Sequence, residues 1–96
     1  MKYRSRTDIV STILQAGTNG ATKTRLMYSA FLSHAQLQEY LQFLTEKKLM
    51  GFDEKTSEYK VTEQGLRFLR VYEDISKMVA LEGNKTSDKA MLILPQ

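Results

Sequence analysis

The spacing of apolar residues predicts a mainly α fold with a small β-hairpin. Apolar stripes at helical spacing recur in four stretches, and cap or turn residues stand at the junctions between them. Between the third and fourth stripes, two short mixed segments flank a charged tip, the pattern of a hairpin. A length of 96 residues, 42% of them hydrophobic, suits one small domain or one domain with an appendage.

The first helix is expected over Asp8 to Ala16, where Ile9, Ile13 and Leu14 repeat beside Val10. Ser11 and Gln15 fall on its outer side. Ser5 or Thr7 supplies the N-cap oxygen, and Asp8 lies near the positive end of the helix dipole. Gly17 and Thr18-Asn19-Gly20 then end it in a turn. A second helix follows the N-cap Thr22 and uses Leu26, Met27 and Ala30 as its apolar set.

Phe31 and Leu32 lead into Ser33-His34-Ala35-Gln36, which has the form of a capping box. Behind it, Leu37, Tyr40, Leu41 and Leu44 make a clean stripe, while Gln38, Glu39, Gln42 and Thr45 face away. Ser33 to Lys48 is therefore the best-specified helix. The hairpin comes next, with Leu49-Met50-Gly51-Phe52 and Glu58-Tyr59-Lys60-Val61 as strands and residues 53–57 as the tip. An isolated hairpin is marginal, so this one must lie against the helices.

Thr62 caps the last helix, which runs to a stop at Gly83-Asn84. Leu66, Phe68 and Leu69 suffice to cover a small core. Tyr72, Ile75, Met78 and Val79 then lie beyond its edge, which marks Leu69, Tyr72, Ile75, Met78 and Val79 as a dimer interface. The organisation expected is a domain at 1–65 with a basic N-terminal arm, a dimerisation helix at 66–82, and a flexible tail or docking element at 83–96 carrying Met91-Leu92-Ile93-Leu94.

The net charge of +3 is unevenly distributed. Residues 1–25 hold Lys2, Arg4, Arg6, Lys23 and Arg25 against Asp8 alone. Residues 26–60 sum to −1 and residues 61–96 to zero. A local cluster of this kind suits a polyanionic partner.

Several functions are excluded or disfavoured. The absence of cysteine removes disulfides, Cys-type zinc sites and thiol nucleophiles. His34 is the one histidine and has no partner for metal binding or base catalysis, so no cofactor, no metal and no enzymatic activity are expected. Glu46, Asp53, Glu54 and Glu58 read as solvated surface beside Lys47, Lys48, Lys55 and Lys60. Tyr28, Tyr40, Tyr59 and Tyr72 read as core edges and not as base-stacking groups, with Tyr3 in the basic arm as the exception. No signal peptide, membrane span or small-molecule site is evident, and a cytoplasmic, nucleoid-associated location is expected.

Two helices joined by a tight turn, the second with a polar outer face, followed by a hairpin, form a winged helix-turn-helix arrangement. A helix of this kind fits the major groove of duplex DNA while the hairpin reaches the flanking backbone. Ser33, His34, Gln36, Gln38 and Gln42 are then the groove-facing candidates. Lys2, Arg4, Arg6, Lys23, Arg25, Lys55 and Lys60 are the phosphate contacts. The first three turns of the recognition helix contain no arginine or lysine, which points to backbone-dominated binding.

The stretches Lys23-Thr24-Arg25-Leu26-Met27-Tyr28, Leu32-Ser33 and Tyr59-Lys60-Val61-Thr62-Glu63-Gln64-Gly65-Leu66 resemble an archaeal winged helix-turn-helix family. The resemblance covers about residues 7–79. It implies a DNA-binding fold that pairs through its last helix as an antiparallel coiled coil, in transcriptional regulators or small nucleoid proteins. Phe31 departs from the family pattern, which has asparagine before Leu-Ser. The function expected is a homodimer on double-stranded DNA, a regulator or an architectural protein. The alternative is a protein-binding module that uses Tyr72, Ile75, Met78 and residues 91–94.

Overall fold

Ser5 starts the first helix of the computed structural model, which describes residues 4–83, with side chains to 79. Its hydroxyl accepts from the Asp8 backbone N–H at 3.0 Å, and the Asp8 carboxylate accepts from the Ser5 N–H at 3.3 Å. This capping box begins α1 (Arg6–Ala16) two residues before the expected Asp8. Thr22 caps α2 (Lys23–Ala30) by accepting from the Arg25 N–H at 3.2 Å. Ser33 and Gln36 close a second capping box on α3 (His34–Glu46). That helix stops at Glu46 rather than Lys48, because Lys48 turns left-handed at φ 61.

Strands β1 (Met50–Asp53) and β2 (Glu58–Val61) pair antiparallel, with Met50 opposite Val61 and Phe52 opposite Tyr59. Ala21, in the connection before α2, adds a short bridge to Tyr59 through two backbone hydrogen bonds of 2.8 and 2.9 Å. The hairpin is thereby tied along β2 to the connection before α2, a support that a free hairpin lacks. Helix α4 (Glu63–Gly83) follows. The Thr62 hydroxyl accepts from the Gly65 N–H and donates to the Lys48 carbonyl at 2.7 Å, joining the start of α4 to the end of α3. Gly65 passes so close to the chain that a Cβ there would sit 2.3 Å from the Leu49 carbonyl oxygen. The boundary expected between residues 65 and 66 falls inside the first turn of this continuous helix.

The core lies where α1, α2 and α3 converge. Ile13, Leu14, Leu26, Leu37 and Leu44 are its fully buried large side chains, each contributing about 1.5–3 kcal/mol of burial. Met50 and Val61 close it from the hairpin side, while Phe68 and Leu69 pack against it from α4.

Three expectations are corrected by this packing. Ser11 is buried, not outward, because α1 is gripped by α2 on one side and α4 on another. Leu66 remains 38% exposed, since Phe68 and Leu69 occupy the core-facing side of α4. Tyr28 is not a core edge: it is 70% exposed, the inward positions of α2 being taken by Leu26 and Ala30. Lys2, Tyr3 and the Met91–Leu94 run lie outside the described residues.

Candidate nucleic-acid interface

Helix α3 buries Leu37, Leu41 and Leu44, so its opposite side must face solvent. At roughly 100° per residue, that side carries Ala35, Gln38, Glu39, Gln42 and Glu46. It is polar and free of lysine or arginine. Glu39 and Glu46 lie on it, and the Gln42 side-chain amide donates toward the Glu46 carboxylate at 3.5 Å.

Cations stand at both edges of this face. On the Gln38 edge, Lys23 Nζ donates to Gln38 Oε1 at 2.9 Å. On the other edge, the Arg6 guanidinium lies over the rings of Tyr40 and Phe43, at 5.2 and 5.7 Å from their centroids. Such stacking leaves the edge of the guanidinium able to donate outward while its face rests on the rings. A polar helix face without lysine or arginine, set between two positive edges, suits a major groove between two phosphate backbones.

The remaining candidates occupy varied surroundings. Ser33 and Gln36 are engaged with one another's backbone in the capping box, so Ser33 helps hold the exposed His34 at the start of α3. Arg25 is exposed on α2, one turn from its N-cap. Arg4 is exposed but engaged within the chain: it donates to the Ala30 carbonyl at 2.7 Å and the Phe31 carbonyl at 3.4 Å, binding the C-terminal end of α2. Lys55 and Lys60 lie exposed on the hairpin among Asp53, Glu54 and Glu58. That wing is net acidic, so the positive surface belongs to the helices.

On α4, the candidates divide. Leu69 packs on the core, and the half-buried Tyr72 donates its hydroxyl to the Asp8 carboxylate. Ile75, Met78 and Val79 are exposed, as is Val71, an apolar residue of the helix that the sequence reading did not place in the interface. These four follow i, i+4, i+7 and i+8 spacing, the signal by which Val71 was legible. The Tyr72 hydrogen bond and, after it, the Ser5 backbone N–H hold the Asp8 carboxyl below its ordinary range. Among the described residues, no group of three or more acidic or histidine side chains is placed to hold a metal ion. No described helix is long and apolar enough to cross a membrane.

Among solved structures, the chain is similar to Sso10a-2, a DNA-binding protein from Sulfolobus solfataricus. The TM-score is 0.77 at 20% sequence identity, over 97% of this chain and 100% of that one. Sequence comparison with curated proteins finds no match. A winged helix-turn-helix family model matches residues 3–80, spanning all three core helices, the hairpin and most of α4. The chain belongs to that winged helix-turn-helix family.

Proposed function

We propose that this protein binds double-stranded DNA as a homodimer, with α3 in the major groove and affinity supplied mainly by the phosphate backbone. The observation that carries the reading is the polar, cation-free face of α3 held between Lys23 and Arg6. Its backbone-dominated character follows from the same face, which offers glutamine and histidine but no arginine for guanine. That the similar Sso10a-2 is a DNA-binding protein supports the reading. The role is that of an architectural protein or a regulator of modest base specificity, with binding and not catalysis as its activity. Binding to a nucleoid in the cytoplasm follows from that role.

The dimer rests on Val71, Ile75, Met78 and Val79, an apolar row that the described residues leave uncovered. A two-fold pair presents two recognition helices to two half-sites. Glu39 and Glu46 on the outer face of α3 favour a second reading, in which that face meets a protein.

Titration of a random-sequence duplex at two salt concentrations separates the two. The DNA reading expects log affinity to fall with log salt at a slope set by roughly four to six phosphate contacts. Replacing Lys23 and Arg25 with alanine should weaken binding on every sequence and reduce that slope by about two. Absence of duplex binding at low salt sinks the DNA reading. Enrichment of one motif from the pool identifies a regulator, and binding without enrichment an architectural protein.

A further inference from the structure

Tyr28 and Phe31 have no part in the duplex-facing surface just described. At 70% and 82% exposure they are the two most exposed large apolar side chains among the described residues. They are three positions apart at the end of α2, and the Phe31 backbone N–H donates to the Tyr28 carbonyl at 3.3 Å. Phe31 holds a left-handed conformation, φ 54 and ψ 50, strained for a bulky residue. The fold keeps that strain in place from behind: Arg4 grips the carbonyls of Ala30 and Phe31. The outcome is an aromatic ring held out at a fixed corner.

The charge around these rings is positive. Arg25 precedes Tyr28 by one turn on the exposed side of α2, and residues 9–38 contain no aspartate or glutamate. Two unburied ring faces beside a guanidinium, in a stretch without carboxylates, suit a partner that offers flat π surfaces and negative charge together. Nucleic acid bases joined by phosphates have that chemistry. In an intact duplex the base faces are stacked inside and out of reach, whereas in a single strand they are available.

We infer that Tyr28 and Phe31 form a stacking platform for single-stranded nucleic acid, with Arg25 as its phosphate contact. This activity shares Arg25 with the proposed duplex surface but uses two rings that surface does not, and so goes beyond it. Base stacking on an aromatic side chain tolerates any sequence, so the platform is expected to bind strands without base preference.

The test uses the full chain, labelled oligothymidylate and oligouridylate of about 12 nucleotides, and a labelled duplex. Phe31→Asn suits the left-handed corner and Tyr28→Ser lies on an exposed face, so both variants should remain folded. Each should weaken single-strand binding about tenfold while leaving duplex affinity within about twofold. Phe31→Trp introduces the sole tryptophan of the chain, and its emission should be quenched on adding the single strand. Unchanged single-strand affinity in both variants, with either sugar, overturns the proposal. So does an equal loss on single strand and duplex, or a change of oligomeric state without any change in single-strand binding.

Discussion

Phe31 adopts a backbone conformation that costs a bulky L-residue about 1–2 kcal/mol relative to glycine or asparagine. Its ring is 82% exposed and returns little burial in exchange. Phe31→Asn should therefore stabilise the fold by about 1 kcal/mol, raising the melting temperature by about 4–8 °C. A thermal melt checks it; a lower melting temperature would show that the ring supports the fold after all. At this scale the sequence was legible where one side chain closes a local loop, as Thr22 and the Ser33–Gln36 pair do. It was not legible for Tyr28, because α2 has only eight residues and its period cannot separate Met27 from Tyr28 as the inward side chain. Nor was it legible for Arg4, whose carbonyl partners lie 26 and 27 positions away.

Among the elements, α1 and α4 are joined by the hydrogen bond from Tyr72 to Asp8. The bond favours the ionised carboxylate, so the Asp8 carboxyl titrates below its ordinary range in the folded protein. A depressed folded value means that the stability it lends is fully present above the unfolded aspartate range. It is lost as pH falls through the folded value. Tyr72→Phe should cost about 1 kcal/mol at neutral pH, measured by urea denaturation. The gap to the parent chain should close as Asp8 becomes protonated in both, and a gap constant down to strong acid would count against the link. The spacing of α4 placed Tyr72 beyond the core edge and suggested a partner chain. A hydroxyl at the tip of a long side chain can find a partner within its own fold, and hydropathy patterns do not register such partners.

For the whole molecule, the proposed dimer places its strongest demand on the exposed row of α4. Ile75→Glu together with Met78→Glu should leave a folded monomer by light scattering, since both side chains lie outside the core. Duplex affinity should then fall by at least about 100-fold, as two linked half-sites become two independent ones. A double variant that stays dimeric moves the interface elsewhere. The order of helices and hairpin was legible in the sequence, because caps, stripes and turns agreed at every junction. The distribution of charge was legible too, though its consequence was not. Arg6 and Lys23 come from different helices, and only the folded chain brings them to opposite edges of α3.

The course of α4 past Tyr72 gives the molecule a lever arm. From Tyr72 to Gly83 the helix runs about 16 Å at 1.5 Å per residue. A tilt of about 10° at the Tyr72–Asp8 fulcrum would swing its far end by about 3 Å, close to one base-pair step. Within the proposed dimer, the phase between two half-sites along the duplex thus depends on the Tyr72 phenol and the Phe68 and Leu69 contacts that aim α4, distant from any groove.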